Sequence, residues 1–258
     1  MTAPDVRTTV RSKYAQVASA GTSCGCGPAA RAAEIATEIG YSAEELRSVP
    51  EGSNLGLGCG APLRHAALAP GEVVLDLGSG AGMDAFLAVR EVGPEGRVIG
   101  VDMTPDMIEK ARANAVQAGA PNVEFRLGEI EHLPVADSSV DVVISNCVVN
   151  LSPDKPQVFR EAYRALRSGG RLVISDIVVT GELPDESRAS VEAYVGCVAG
   201  ALKKEEYLDA IRLAGFEAVE VVEERSYGTS EVFGGEEWLR QAAGAIASIK
   251  VRAVKPRG

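Results

Sequence analysis

The sequence has no apolar run of the length that a membrane-spanning helix needs. A span takes about 18 or more consecutive apolar residues, whereas the apolar runs here are strand-sized, such as VVI at 142–144. The opening residues, MTAPDVRTTVRSKYAQ, contain no apolar stretch of the kind a secretory signal carries. We therefore expect a cytoplasmic protein that does not associate with membranes.

Positive charge and aromatic side chains are also scarce. Lys and Arg number 26 against 36 Asp and Glu, which gives a net charge of −10, and aromatic residues make up 5% of the chain. No basic run is longer than Lys203-Lys204. Proteins that bind nucleic acids use basic, base-stacking surfaces, so we expect no nucleic-acid partner, and we expect the chain to be a monomer.

Cysteine is too sparse for a disulfide-stabilised scaffold. The chain has five cysteines in 258 residues, an odd number at a low density. In a reducing compartment such thiols serve as buried apolar groups, as ligands or as redox groups. The positions of the five residues decide between these roles.

A regular alternation of strand and helix patterns occupies the middle of the chain. Thr104 is a predicted N-cap, Pro105 begins the helix that follows it, and Gly119 lies where that helix should end. Another helix is predicted from Ser152 to the Gly169-Gly170 pair. Such alternation is typical of an α/β fold, a doubly wound Rossmann-like sheet of parallel strands covered on both faces. The predicted strands are 73–77, 97–102, 123–127, 140–145 and RLVISDI at 171–177.

Three units are predicted along the chain: an N-terminal helical cap with a thiol-containing arm (1–60), the Rossmann-like domain (61–177) and a C-terminal α+β extension (178–258). In the cap, Ser42 and Glu45 form a capping box for a short helix at 42–48. The extension contains two predicted helices, LPDESRASVEAYVGCVAGAL and KKEEYLDAIRLAG, the second closed by Gly215. Two predicted strands, FEAVEVVEE and SIKVRAVKP, either extend the sheet or form a separate appendage.

The turn after the first strand is rich in glycine. It reads DLGSGAG at 76–82, and glycines there allow a tight turn and close approach of a ligand to the backbone. A dinucleotide fingerprint would place a third glycine at position 83, which is Met83. The D-x-G-x-G-x-G pattern instead resembles the first motif of class I S-adenosylmethionine methyltransferases.

Two further segments follow at the expected strand ends. Asp102 lies at the end of the second strand, where a carboxylate can accept hydrogen bonds from both hydroxyls of an adenosine ribose, and GEIEHLP at 128–134 resembles the segment that flanks the adenine. The resemblance implies S-adenosylmethionine as cofactor. The predicted cofactor site comprises Asp76, Gly78, Ser79, Gly80, Gly82, Asp102, Met103, Glu129, Ile130 and Asn146.

Three separated cysteines suggest the methyl acceptor. Cys147 follows the fourth strand at the ligand-binding edge of the predicted sheet, Cys59 lies in the glycine-rich LGLGCG loop, and Cys197 lies in VGCVAGAL. Taken alone, Cys147 is better explained as a buried apolar thiol than as a ligand. No N/D-P-P-Y motif and no Pro-Cys pair is present, so the common nitrogen and cytosine acceptors are not indicated.

At these cysteines the chain closely resembles the arsenite methyltransferases. The matching segments include YSAEELRSVPEGSNLGLGCG, VVLDLGSGAGMD, VIGVDMTPDMIEKARANA, the long GEIEHLP…RSGGRL segment and GCVAGAL. The resemblance implies that Cys147 and Cys197 bind trivalent arsenic and that Cys59 supplies a third thiolate or forms a disulfide. Thiol-bound arsenic(III) keeps a lone pair that serves as the nucleophile, so no general base is needed.

The resemblance also implies a redox partner for this site. Methyl transfer formally oxidises arsenic to the pentavalent state, and thiols can reduce it again by forming a disulfide. Cys24 and Cys26 are the candidates to act with Cys59, with a thiol reductant such as glutathione or a thioredoxin-type protein regenerating the thiols. The substrate is then a small molecule, trivalent arsenic as a thiol complex, and no other metal is expected.

Three alternatives stay open. Cys24, Cys26, Cys59 and His65 provide the four ligands that zinc prefers, although their spacing matches no zinc finger. A methyltransferase for a small carbon or oxygen acceptor such as a quinone would treat the cysteines as core residues. A metalloid- or zinc-binding sensor would bind without turnover.

Overall fold

Seven strands form one sheet in the order β3-β2-β1-β4-β5-β7-β6 in the computed structural model, which describes residues 3–20, 32–183, 197–226 and 244–258. The strands are β1 (Val73–Leu77), β2 (Arg97–Asp102), β3 (Val123–Leu127), β4 (Val140–Asn146), β5 (Leu166–Val179), β6 (Glu217–Ser226) and β7 (Ile246–Val254). The helices are α1 (Ala3–Ala20), α2 (Ala32–Glu38), α3 (Ala43–Ser48), α4 (Leu63–Ala66), α5 (Met83–Val92), α6 (Pro105–Ala118), α7 (Lys155–Ala165) and α8 (Lys204–Leu213).

The first five strands are parallel, as the sequence predicts. Residues of β1 are paired with β2 on one side and β4 on the other, so that the carboxyl ends of these strands meet at one edge. The order of strands changes direction between β1 and β4, which is the place where α/β sheets bind ligands. The predicted α/β, doubly wound Rossmann-like class is confirmed.

The two C-terminal strands extend this sheet rather than forming an appendage. β7 is antiparallel to both of its neighbours, β5 and β6. The boundary predicted after residue 177 therefore lies inside β5, a strand that pairs with β7 over nine residues from Arg171 to Val179.

The core lies on both faces of the sheet. On one face α7 and α8 bury Phe159 and Tyr207 edge to face, with ring centroids 5.5 Å apart. On the other face α5 buries Phe86 against Phe125 of β3. None of the helices in the described ranges has both the length and the apolar character that crossing a bilayer requires.

The predicted helix caps are largely confirmed. Ser42 and Glu45 form the reciprocal capping box at α3, Thr104 and Pro105 begin α6, and Gly119 ends α6 with a φ of +59°. The Gly119 conformation is left-handed, which glycine adopts without strain.

The predicted bounds of α7 were wrong at both ends. The helix begins at Lys155, because the Asp154 side chain accepts a hydrogen bond from the backbone amide of Gln157 and so caps it. It ends at Ala165, because Leu166 pairs with Val140 and begins β5 before the two glycines. The register of this pairing shifts between Val140 and Val142, and the Gly169-Gly170 segment lies within the shift.

The predicted helix around Cys197 lies only partly within the described residues. Residues 184–196 lie outside them, and 197–200 form a turn rather than a helix. The next helix was predicted correctly as α8, with Gly215 at a φ of +104° after its end.

Candidate functional site

The glycine-rich loop after β1 is tied to the end of β2. The amides of Gly78 and Ser79 both donate to the carbonyl oxygen of Val101, at 2.8 and 3.0 Å. Gly80 has a φ of +52°, and no atom lies within 4 Å of the position that a Cβ there would occupy. The loop therefore presents open space at Gly80 while its backbone is held in place.

Asp102 lies directly against this loop, as its predicted position at the end of β2 requires. One carboxylate oxygen accepts from the Gly80 amide at 3.0 Å and the other from the Thr104 amide at 2.8 Å. The side chain is buried, and this burial raises the pKa of Asp102. The Thr104 side chain also hydrogen-bonds to this carboxylate. Since a carboxylate has about four acceptor positions, one remains for a ligand hydroxyl.

Three buried polar atoms beside the loop have no hydrogen-bond partner among the described residues: Asp76 Oδ2, Ser79 Oγ and Ser145 Oγ. A buried polar atom without a partner costs about 1–3 kcal/mol, and these three share the loop and its neighbouring strand ends. Burial, with Asp84 and Asp102 nearby, raises the pKa of Asp76. These three oxygens can accept hydrogen bonds from a polar ligand that carries donor groups and a positive charge.

Tyr41 and Asp84 complete this part of the site and were not predicted. The Tyr41 hydroxyl donates to Asp84 Oδ1 at 2.7 Å, and burial raises the pKa of Asp84 to about 6. Asn146 lies at the end of β4. Its side-chain nitrogen, Nδ2, is 3.1 Å from Asp84 Oδ2 and donates to the Gly60 carbonyl at 2.7 Å. Asn146 Oδ1 accepts from the Cys59 amide at 3.0 Å. The cofactor loop and the Cys59 loop are thus joined through one amide side chain.

The structure brings together the three cysteines that the sequence singles out. Cys59, Cys147 and Cys197 share one apolar cluster, and Cys59 and Cys197 are each about 2% exposed. The Cys197 thiol donates to the Cys147 carbonyl at 2.8 Å. The Cys147 thiol hydrogen-bonds with Cys197 and Cys59 in its protonated form, and these bonds together with burial raise the pKa of Cys147.

Backbone geometry at two of these cysteines is unusual. Cys147 and Cys197 have φ values of +57° and +65°, a left-handed conformation that is uncommon outside glycine and asparagine. Cys147 leaves β4 in this conformation while its amide still donates to the Ser175 carbonyl at 2.8 Å. Such strain persists where the surrounding structure fixes it, and it is common at functional sites.

Asp176 is a fourth polar group at the thiols, and no motif in the sequence predicts it beyond its place in β5. One of its oxygens, Cys59 Sγ and Cys147 Sγ all lie within 4.8 Å of one another. The carboxylate is fully buried, and burial raises its pKa to about 7. It accepts from the Ile177 amide at 2.9 Å and from the Tyr207 hydroxyl at 3.1 Å.

Asn150 links Asp176 to two of the cysteine-bearing segments. Its side-chain amide donates to Asp176 Oδ1 at 2.9 Å and lies 3.3 Å from the Cys197 carbonyl, while its backbone amide donates to Asp176 Oδ2 at 3.2 Å. Because Asn150 lies in the turn that follows Cys147, one side chain connects the Cys147 turn, the end of β5 and Cys197.

Helix α1 lies against both halves of the site. Val6 and Val10 belong to the apolar cluster that contains the thiols, and Val17 packs in a cluster with Ala81 of the glycine-rich loop. Arg7 forms ion pairs with the segment after β3, at 3.0 Å to Glu131 and 3.5 Å to Glu129. Two of the predicted cofactor residues lie beside this helix: Glu129 pairs with Arg7 and Arg11, and Met103 packs in the cluster that contains Val6 and Val10. Ile130, also predicted, is buried in the core beside the sheet.

The structure tests only part of the alternative zinc set. Cys24 and Cys26 lie outside the described residues. His65 Nε2 lies 2.9 Å from Glu223 Oε2, so this histidine is paired with a carboxylate of β6.

Comparison with known proteins agrees with this geometry. A family model described as a methyltransferase domain matches residues 68–215. The chain is 53% identical over 229 residues to an arsenite methyltransferase of Halobacterium salinarum, a match that covers 84% of this chain and 59% of the relative. An arsenite methyltransferase of Homo sapiens is 42% identical over 152 residues, or 55% of this chain and 40% of the relative. The chain thus spans about three fifths or less of the length of these relatives.

A solved structure extends the likeness to the fold. The crystal structure of CrArsM, an arsenic(III) S-adenosylmethionine methyltransferase from Chlamydomonas reinhardtii, superposes with a TM-score of 0.66 at 34% identity. The match covers 88% of this chain and 73% of that one. The three-cysteine cluster, the glycine-rich loop and these similarities agree: the chain belongs to the arsenite methyltransferase family.

Proposed function

We propose that this chain transfers methyl groups from S-adenosylmethionine to trivalent arsenic held by Cys59, Cys147 and Cys197. The observation that carries the proposal is the meeting of these thiols, from three distant segments, in one apolar cluster beside the glycine-rich loop. Thiols serving only as core residues do not require two left-handed backbone conformations to bring them together.

The chemistry needs thiolates rather than a general base. Arsenic(III) is a soft centre that favours sulfur ligands. Three thiolates bind it in a trigonal pyramid and leave its lone pair at the apex, so that no proton has to be removed from the nucleophile. The task of the cysteines is then to hold this lone pair about 3 Å from a methyl carbon and in line with the bond that breaks.

The glycine-rich side of the cleft is the proposed cofactor site. The cofactor supplies an electrophilic methyl group on a sulfonium. Asp76 and Ser79 offer unsatisfied oxygens to its polar end, the open space at Gly80 admits it, and Asp102 accepts a hydrogen bond from a ribose hydroxyl. Asn146 lies between the cofactor loop and the Cys59 loop, and its side-chain oxygen holds the Cys59 backbone amide. Gly78, Gly82, Met103, Glu129 and Ile130 complete the proposed cofactor-binding set.

Reduction of arsenic after each transfer is assigned to thiols. Attack by the lone pair removes two electrons from arsenic, and two thiols that form a disulfide return them. Cys59 with Cys24 or Cys26 is the proposed pair, and a small thiol or thioredoxin-type reductant restores the thiols. The proposed substrate is a thiol complex of arsenic(III), and the proposed role is arsenic detoxification in the cytoplasm.

The direct test is arsenic speciation after incubation of the chain with arsenite, glutathione and isotope-labelled S-adenosylmethionine. We expect labelled methylarsenicals, and none when the methyl donor is replaced by its demethylated product. A quinone-type methyltransferase predicts no arsenic product and normal turnover in Cys147→Ser and Cys197→Ser. A sensor predicts arsenite binding with no labelled product.

Protection from alkylation tests the ligand assignment separately. We expect one arsenite per chain and slowed alkylation of Cys147 and Cys197 when arsenite is saturating. Complete alkylation of both thiols under saturating arsenite would remove them from the proposed site.

A further inference from the structure

The thiol cluster contains a fourth donor that trivalent arsenic does not require. Cys59 Sγ, Cys147 Sγ and a carboxylate oxygen of Asp176 lie within 4.8 Å of one another, and the Cys147 thiol also contacts that of Cys197. We infer that these four groups form a site for a thiophilic divalent cation, Zn²⁺ or Cd²⁺, with three sulfur ligands and one oxygen ligand.

The spacing of the donors suits tetrahedral coordination. Zinc binds cysteine sulfur at about 2.3 Å and carboxylate oxygen at about 2.0–2.2 Å, which sets the ligand atoms of a tetrahedron a little under 4 Å apart. Cys59 Sγ, Cys147 Sγ and the Asp176 oxygen are within about 1 Å of that spacing before any ion binds, and the Cys197 thiol joins them through its contact with Cys147. Three sulfurs and one oxygen also match the softness of zinc and cadmium, whereas magnesium and calcium prefer oxygen ligands alone.

The surroundings of Asp176 are those of an oriented metal ligand. The Ile177 amide and the Asn150 side chain each donate to Oδ1 at 2.9 Å, and the longer bonds from Asn150 N and Tyr207 reach Oδ2 at 3.2 and 3.1 Å. Together these bonds occupy the acceptor positions of the carboxylate, so a cation takes the place of one of the longer bonds. The remaining bonds then fix the direction of the ligating carboxylate. The Lys155 side chain is buried nearby and places positive charge beside both Asp176 and Cys197, which offsets the negative charge of the ligand set.

Arsenic(III) and a divalent cation differ in the number of ligands that they take at this site. Arsenic(III) uses three thiolates and carries a lone pair where a fourth ligand would lie. A divalent cation has no such lone pair and takes the carboxylate; each thiol that binds it releases one proton to solvent. Because both occupants use the same three thiolates, the cation excludes arsenic. The ligand set stands on the geometry, while the competition rests on the proposed function.

X-ray absorption of the zinc-loaded full chain tests the ligand set without any substitution. We expect one zinc per chain with three sulfur atoms at about 2.3 Å and one oxygen atom at about 2.0 Å. A shell of four sulfurs, or one dominated by oxygen and nitrogen, would overturn the inference. Full displacement of this zinc by one equivalent of arsenite supports the competition. An intact three-sulfur shell that arsenite does not displace would support the ligand set and overturn the competition.

Cadmium titration of variants tests the role of the carboxylate. Sulfur-to-cadmium charge-transfer absorption reports binding, and Asp176→Asn should lower cadmium affinity by at least about tenfold, and by clearly more than it lowers arsenite affinity. Asp141→Asn is the control, because Asp141 is an aspartate at the opposite end of β4 from Cys147 that likewise accepts hydrogen bonds, from the Val73 amide and from Arg167. Equal losses of cadmium and arsenite affinity in Asp176→Asn, or equal losses of cadmium affinity in both variants, would overturn the assignment.

Discussion

The side-chain oxygen of Asn146 accepts a hydrogen bond from the backbone amide of Cys59 at 3.0 Å, across 87 positions of sequence. The amide nitrogen of the same side chain donates to the Gly60 carbonyl at 2.7 Å and lies 2.9 Å from the Tyr41 hydroxyl. One residue at the end of β4 therefore sets the position of a thiol in the loop before β1. It does so while its chain neighbour, Cys147, supplies another thiol to the same cluster.

Asn146→Ala should release the Cys59 loop. We expect unfolding free energy to fall by about 1–3 kcal/mol, because buried hydrogen bonds are lost, and arsenite affinity to fall about tenfold, the effect of removing a group that orients a ligand. Tyr41→Phe is the control, since it removes a hydroxyl that contacts Asn146 and leaves the bond to Cys59. Urea unfolding and arsenite titration measure both quantities. If the two variants lost the same arsenite affinity, the Asn146–Cys59 bond would not position the thiol.

The pKa of Asp84 predicts a pH dependence of stability. Burial raises this pKa from 3.8 to about 6 in the folded chain, so the folded state binds the proton more tightly than the unfolded state. The contribution of this group to stability is therefore complete below about pH 4 and is lost as the pH rises through about 6.

Asp84→Asn should make the stability of the chain depend less on pH between about pH 4 and 6. Between pH 4 and 6 we expect the slope of unfolding free energy against pH to become less negative in the variant, by up to about 1.4 kcal/mol per pH unit. Asp106→Asn, at an exposed position in α6, controls for the loss of one carboxyl group. Urea unfolding at half-unit steps of pH measures the slopes. Identical profiles for wild type and Asp84→Asn would contradict the prediction.

Two glycines offer a matched test of the cofactor loop. Gly80 and Gly119 have similar positive φ values, +52° and +59°, and a Cβ at either meets no atom within 4 Å. Alanine at each position should cost about 1–2 kcal/mol of stability for the left-handed backbone. We expect only Gly80→Ala to weaken S-adenosylmethionine binding, because the added methyl group enters the proposed cofactor space. The affinity should fall at least about tenfold, which corresponds to about 1.4 kcal/mol. Calorimetry measures the affinities, and equal affinities in both variants would place the cofactor elsewhere.

The sequence predicts the strands and the general location of the site for a clear physical reason. Short runs rich in β-branched residues, such as 73–77, favour a buried strand by their length and composition, and the carboxyl ends of parallel strands share one edge of the sheet. Asp102 and Cys147 could therefore be placed from position alone.

The contacts that shape the site could not be predicted in this way. The Tyr41–Asp84 bond, and the approach of Asp176 to Cys59 and Cys147, join segments that are distant in sequence. Such pairings depend on how loops fold back over the sheet, and no local pattern encodes them. The same holds for the start of β5 at Leu166, where pairing with β4 overrides the glycines that suggested a helix end.

Serine substitutions of the three cysteines should affect methylation differently if binding arsenic and reducing it are separate tasks. Monomethylarsenite has only two exchangeable positions on arsenic, so two thiolates are enough to hold it, whereas arsenite has three. Cys197 and Cys147 are joined directly, by the 2.8 Å bond from the Cys197 thiol to the Cys147 carbonyl. Cys59 belongs to a separate loop, held through Asn146 and through the Ser248 hydroxyl, which donates to the Cys59 carbonyl at 2.7 Å.

Cys59→Ser should therefore block methylation of arsenite and leave measurable methylation of monomethylarsenite. Cys147→Ser and Cys197→Ser should abolish both reactions, because a single remaining thiolate cannot fix the lone pair on the methyl axis, and a misplacement of ~1 Å costs about 100-fold. Arsenic speciation for each variant on both substrates is the measurement, with Cys24→Ser and Cys26→Ser included to identify the partner of Cys59. Equal loss on both substrates in all three variants would rule out this division between Cys59 and the other two cysteines, because it would mean that every methylation step requires all three thiols.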